Sequence, residues 1–236
     1  MKTNGQKTIG MIGGMSWESS TTYYQVINRE VQKRLGGVHS AKIIMESYDF
    51  AEMDVLQRAG RWADASAMME ETGRRLARAG ADFVMICCNT MHLADEAVEK
   101  AAGVPLLHIA DPLGEAIRAK GIRRVGLLGS CFTMERAGII SGRLEEKFGI
   151  ASLVPGDEDR VTVDQVIQKE LVCGQFLEPS RGAYRAVMAK LVEKGAQGIV
   201  LGCTEIPLLV GPEDASVPTF DTTTLHALAA VDLALA

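Results

Sequence analysis

The 236-residue sequence is short of several things, and each shortage closes off a class of protein. It has no long hydrophobic run: the longest stretch free of Asp, Glu, Lys and Arg, Phe83 to Ala94, is twelve residues, whereas a membrane-spanning helix needs about 20. It has no basic excess, since 25 Lys and Arg face 30 Asp and Glu for a formal charge of −5. That balance argues against nucleic acid or a membrane surface as a partner. The opening Met1 to Lys7 is polar and the segment behind it is short and glycine-rich, unlike an export signal, so a cytoplasmic location is expected. The five cysteines (Cys87, Cys88, Cys131, Cys173 and Cys203) form no C-x-x-C pair, and their odd number fits reduced thiols rather than a disulfide framework. Glycine and proline, at 24 and 7, are too few for a low-complexity chain. G-x-G-x-x-G is missing too, so Gly10-x-x-Gly13-Gly14 is only a weak dinucleotide signal. Small molecules and other protein chains remain as partners.

What is present is an α/β grammar. Thr8 to Ile12 is a short apolar run closed by Gly13-Gly14, and Ser16-Trp-Glu-Ser then reads as an N-cap with an acidic first turn, before a helix that stops at Gly36-Gly37. Lys42 to Met45 follows as a strand, then a helix from Trp62 to Gly80 and a strand from Asp82 to Cys87. Val104 to His108, Val125 to Leu128, Gly198 to Leu201 and Val217 to Phe220 repeat the pattern. Apolar strands alternating with helices predict a mostly parallel sheet covered on both faces.

The grammar is also duplicated. Lys7-Thr-Ile-Gly-Met-Ile-Gly13 resembles Arg123-Arg-Val-Gly-Leu-Leu-Gly129, Gly80 to Cys88 resembles Gly195 to Cys203, and Val104-Pro105 resembles Val217-Pro218, all at offsets of about 115 residues. At roughly 150 residues per domain, the chain is better read as two similar pseudo-symmetric lobes than as one and a half domains. The expected boundaries are 1–110 for lobe one, with the C-terminal helix as a candidate to return to it, and 111–236 for lobe two.

Duplication pairs Cys88 with Cys203, each at the carboxyl end of a strand, where open α/β sheets place ligands. If the lobes face each other about a pseudo-twofold axis, the two thiols would oppose each other across a cleft. Opposed thiols suit the removal of a proton from one face of a carbon and its return to the other. A free thiol has a pKa of about 8.5, so thiol and thiolate can serve as acid and base together, and exchanging their protonation states reverses the reaction. Blander readings stand beside this one. Buried cysteine is a common core residue, and Cys87, alternating with Cys88 along the strand, should point to the opposite face and pack. Cys131 and Cys173 read as structural. His92 fits packing or capping of the next helix better than a Cys88-x-x-x-His92 metal pair, which has no third ligand in a recognised spacing. Glu205 reads equally as an orienting group for Cys203 and as an acidic residue at a helix N-terminus.

Ile86-Cys-Cys-Asn-Thr-Met-His92 and Leu201-Gly-Cys-Thr-Glu-Ile-Pro207 resemble the two signature cysteine motifs of the aspartate/glutamate racemase family, the cofactor-independent amino-acid racemases. Ile9-Gly-Met-Ile-Gly-Gly-Met-Ser-Trp-Glu-Ser19 resembles the aspartate and broad-specificity branch. Glutamate racemases proper carry Asp-Ser in the first turn and His after the second Cys-Thr, where this chain has Met15-Ser16 and Glu205. The resemblance implies a two-lobed α/β homodimer, an active site between lobes, and neither pyridoxal phosphate nor metal. Residue by residue it implies Cys88 and Cys203 as the catalytic pair and Asn89, Thr90 and Thr204 as substrate-lining groups. Ser16, Ser130 and Thr133 become candidates for the α-carboxylate, and Glu205 joins the substrate-binding set. A basic partner for a substrate side-chain carboxylate has no obvious counterpart, with Lys169 and Arg185 the residues that could fill that role. The expected function is racemisation of a small amino acid, aspartate or glutamate leading. Broad-specificity racemisation, a related isomerisation or decarboxylation, and non-catalytic binding of a small acid are the alternatives.

Overall fold

The computed structural model describes residues 5–135 and 139–236, and these form two compact units. The first comprises Met1–Ile109 and His226–Ala236, and the second Ala110–Leu225. No helix among the described residues is long and apolar enough to cross a membrane.

In the first unit the elements run β1 (Ile9–Gly13), α1 (Trp17–Leu35), β2 (Ile43–Ser47), α2 (Phe50–Arg58), α3 (Trp62–Arg78), β3 (Phe83–Ile86), α4 (Asp95–Ala102) and β4 (Leu106–Leu107). The strands form one parallel sheet in the order β2-β1-β3-β4. The second unit runs α5 (Ala110–Ala119), β5 (Arg124–Leu128), α6 (Cys131–Glu135), α7 (Ser141–Phe148), β6 (Ala151–Leu153), α8 (Asp157–Lys169), α9 (Glu178–Glu193), β7 (Ile199–Leu201) and β8 (Thr219–Asp221). Its sheet is also all parallel, in the order β6-β5-β7-β8. Helix α10 (Thr222–Leu235) begins in the second unit and carries the chain back to the first. The fold is therefore α/β, with two four-stranded parallel sheets flanked by helices.

Period-two alternation sorts the first sheet's side chains between two cores. Ile9, Met11, Phe83, Met85 and Cys87 pack with Tyr23, Ile27 and Val31 of α1 and with Ala227, Ala230 and Val231 of α10. Ile12, Val84 and Ile86 turn the other way, onto Met53, Met69, Leu76 and Val98. Each large side chain buried this way contributes about 1.5–3 kcal/mol of hydrophobic stabilisation. In the second unit, Leu128, Ile199 and Leu201 pack with α8 and α9 through Val163, Ile167, Tyr184, Met188 and Leu191.

The two sheets share register as well as strand order. Gly10 pairs with Val84 on the neighbouring strand, four residues after Gly80, and Gly126 pairs with Ile199, four residues after Gly195. Gly80 and Gly195 have φ of +100° and +94° and follow α3 and α9, so each turns a helix back into its sheet in a conformation that side chains resist. Both strands that open on Val-Pro start later than their apolar runs suggest. Proline cannot donate to a ladder, yet its carbonyl still accepts: Val84 N–H donates to Pro105 and Ile199 N–H to Pro218.

Candidate active site

The first candidate set gathers at the carboxyl edge of the first sheet. Because β1 and β3 are parallel neighbours, the loops after Gly13 and Ile86 leave the same edge. Ser16 caps α1: its Oγ accepts from Ser19 N–H at 3.4 Å, and its carbonyl takes the hydroxyls of Ser19 and Ser20 at 3.1 and 2.9 Å. The loop before it cannot carry a side chain at Gly14, because a Cβ there would stand 2.2 Å from Tyr48 N. On the neighbouring loop, Cys87 N–H donates to the Ile12 carbonyl, and Cys88, Asn89 and Thr90 follow into a 3-10 turn (Thr90–Ala94). Cys88 is half-buried, while Ser16, Asn89 and Thr90 are buried.

Cys87 and Cys88 separate as alternation requires. Cys87 belongs to the fully buried core on the α1 side, and Cys88 packs against the opposite core. Burial, with the adjacent Cys88, pushes the Cys87 thiol far above the usual range, which leaves it an inert core residue.

The second set has the same backbone plan. Gly202 N–H donates to the Leu128 carbonyl at 2.7 Å, as Cys87 does to Ile12, and Cys203 follows two residues past the end of β7 just as Cys88 follows β3. The loops after β5 and β7 approach so closely that a Cβ on Gly129 would lie 2.9 Å from the Gly202 carbonyl. Ser130 and Thr133 are buried and pair through their hydroxyls at 3.2 Å, and Thr133 N–H donates to Ser130 Oγ at 3.3 Å. Their contacts with each other thus shape the first turn of α6.

At Cys203 the two readings of Glu205 separate. The half-buried thiol donates to Glu205 Oε2 at 2.9 Å, and the Thr204 hydroxyl donates to the same oxygen at 3.0 Å. Glu205 is buried, so this carboxylate acts on the sulfur in a medium where charge is weakly screened.

Several of the remaining candidates have partners of their own. Arg185 is committed to Asp214, at 2.5 Å, and to Glu178, and Lys169 is exposed at the end of α8. Cys131 is pushed up to about 11 by burial and by Asp164, and Cys173 is exposed. His92 is more than a packing residue: its ring is buried, with Nδ1 2.9 Å from the Cys88 carbonyl and Nε2 accepting from Ile109 N–H at 3.1 Å. The spacing Cys88-x-x-x-His92, one helical turn, was the signal for that contact. His108 and His226, buried beside it, had no sequence signal at all.

Comparison with known proteins places this geometry. A crystallised candidate Asp/Glu racemase from Yersinia pestis is 50% identical, superposes with a TM-score of 0.90, and is matched over 98% of this chain and 100% of its own. An aspartate racemase homologue from Pyrococcus horikoshii is 32% identical with a TM-score of 0.81, over 98% and 99%. Glutamate racemase from Methylococcus capsulatus is 32% identical over 143 residues, 59% of this chain and 49% of that protein, so the match spans about half of that relative. The sequence model of the Asp/Glu/hydantoin racemase family matches residues 12–230, and this chain belongs to that family.

Proposed function

We propose that this protein is an amino-acid racemase that interconverts L and D enantiomers by 1,1-proton transfer, with Cys88 and Cys203 as the two acid/base groups and aspartate or glutamate as the leading substrates. The observation that carries this reading is the equivalence of the two thiols: each lies two residues past the end of an inner strand, β3 or β7, in a sheet of the same strand order and register. A racemase runs both ways, so it needs chemically equal groups that can exchange roles.

In the proposed reaction one cysteine thiolate takes the α-proton, and the electron pair left on the α-carbon delocalises into the carboxylate. The other thiol then delivers its proton to the opposite face. The enzyme is left with its two protonation states exchanged, and solvent exchange resets them. Ser16, Asn89, Thr90, Ser130, Thr133 and Thr204 supply the hydroxyl, amide and N–H groups that hold the carboxylate and ammonium as charge grows in the transition state. Glu205 orients the Cys203 thiol and accepts its hydrogen bond. The chemistry draws only on the protein's own thiols, in a cytoplasmic homodimer.

The test is incubation in D2O with each enantiomer of Asp, Glu and several neutral amino acids, following chirality and the α-proton together. Inversion with deuterium in the product is expected, fastest for an acidic amino acid. Absence of α-exchange with every amino acid would overturn the proposal. Sedimentation equilibrium tests the dimer, and a monomer across the active concentration range would remove that part.

A further inference from the structure

The first unit holds three buried histidines that the proposed proton transfer does not use. The His92 and His108 rings lie 4.5 Å apart between centroids, and the His92 and His226 rings 5.7 Å. The groups around them are Tyr23 of α1, edge-on to His226 at 5.7 Å, and Asp95, whose Oδ2 lies 3.5 Å from His108 Nε2. Four separate stretches of chain meet here: α1, the turn after Cys88, the exit from β4, and α10.

Hydrogen-bond partners determine the state of two of the rings. A carbonyl oxygen can only accept and a backbone N–H can only donate. His92 Nδ1 faces the Cys88 carbonyl and must carry the proton, while Nε2 takes the Ile109 N–H and must be bare. His226 is held in the opposite tautomer. Its Nε2–H donates to the Leu107 carbonyl at 2.9 Å, which leaves Nδ1 to accept from the Tyr23 hydroxyl at 3.0 Å. The segment leaving β4 is thereby gripped twice, at Leu107 by His226 and at Ile109 by His92. One directed path of hydrogen bonds and chain leads from Tyr23 through α10 to the Cys88 peptide.

We propose that His92, as the neutral Nδ1–H tautomer, is a positioning residue for Cys88: by holding the Cys88 carbonyl against the doubly gripped β4 exit, it fixes the direction in which the thiol leaves the strand end. Cys88 lies one residue beyond the bond from Cys87 N–H to Ile12 that ties its strand to β1, so the His92 contact holds the chain just where the strand pairing ends. Its loss lets the Cys88 peptide rotate and carry the sulfur with it, and small misplacements of a reacting group cost rate steeply. The inference rests on Cys88 being a reacting thiol, but most of its test does not.

Labelling histidine with 15N reads the tautomers directly. At pH 7.5 the His92 ring is expected as Nδ1–H with bare Nε2, and the His226 ring as the reverse, the resonances assigned through His92→Gln and His226→Gln. An imidazolium or Nε2–H form at His92 overturns the proposal. The second measurement is iodoacetamide alkylation followed by peptide mass spectrometry, with Cys203 as internal control. His92→Ala should change the Cys88 rate at least threefold and leave Cys203 unchanged. His92→Gln, whose amide can donate to Cys88 and accept from Ile109, should restore the Cys88 rate. An unchanged Cys88 rate in His92→Ala, or equal changes at both cysteines, sinks the assignment. In racemisation, kcat should fall about tenfold in His92→Ala and recover most of that loss in His92→Gln, with KM little moved; equal kcat in the two variants counts against it. If the wild type racemises nothing, the proposed function fails while the tautomer and alkylation results still decide the role of His92.

Discussion

The two strand-end cysteines share a backbone plan and differ in what supports them. At Cys203 the support acts on the sulfur, through a buried carboxylate 2.9 Å away. At Cys88 it acts on the main chain, through a neutral histidine bonded to the carbonyl. A duplicated fold can therefore keep two thiols equivalent in position while setting a carboxylate against one sulfur and a histidine against the other's peptide. The carboxylate touches the sulfur itself, whereas the histidine touches only the peptide that carries it. Matched positions therefore do not bring matched neighbours.

The largest expected effect tests whether the two positions are equal. Cys88→Ala and Cys203→Ala should each lower racemisation by about 10²–10⁴-fold, the usual worth of a positioned acid or base. Each should leave α-proton exchange from one enantiomer only, and the surviving enantiomer should differ between them. Full two-way racemisation in either variant ends the two-base reading.

Glu205→Gln separates the two kinds of support. It should cost about 10²-fold in kcat and alter Cys203 alkylation while leaving Cys88 alkylation as in the wild type. Loss of reactivity at both thiols would mean that the supports are not independent.

Matched glycines extend the comparison to stability. A Cβ at Gly10 would meet Ala81 Cβ at 2.9 Å and the Phe83 carbonyl at 3.2 Å, whereas one at Gly126 would meet the Cδ1 ends of Ile199 and Leu191 at 2.9 Å. Side-chain ends can move more cheaply than backbone. Both alanine variants should destabilise by about 1–3 kcal/mol, Gly10→Ala more than Gly126→Ala, as read from urea midpoints. The reverse order would show that the two sheets yield differently from what their contacts imply.

The smallest effect is specific to the second unit. Burial alone would raise Asp111, but Arg143 and Lys147 outweigh it and hold the carboxyl at about 2. A folded value below the unfolded one means that this pairing stabilises above about pH 4 and is lost as pH falls toward 2. With partly exposed partners it is worth about 1 kcal/mol. Urea titrations at pH 5 and 2.5 should show that much more acid sensitivity in the wild type than in Asp111→Asn. Identical acid sensitivity would remove the pairing from the account.

Much of the fold was legible because its signals are local. Apolar runs marked most strands, Gly36 and Gly80 marked helix ends, and Ser16 marked a cap. Strand β6 was not legible, since Ala151-Ser152-Leu153 is three residues long, pairs only with β5, and has no continuous apolar run to signal burial on both faces. The extra residues at 104 and 217 failed for a different reason: proline withholds the donor that a ladder needs. Within the candidate site, the cysteines and their polar neighbours were visible as motifs. The Ser130–Thr133 pairing, the commitment of Arg185 to Asp214, and the histidine cluster were not.

By itself the sequence determined the α/β alternation, its duplication, and the matched places of Cys88 and Cys203, because each depends on periodicity, turn residues and spacing that short stretches of chain carry. Tertiary structure alone decided what each cysteine touches. Glu205 could have faced solvent, and His92 and His226 are separated by more than half the chain. Only packing of α1, α10, the Cys88 turn and the β4 exit into one core, where buried polar groups are mostly hydrogen-bonded, selects the tautomers and joins them to the Cys88 strand end.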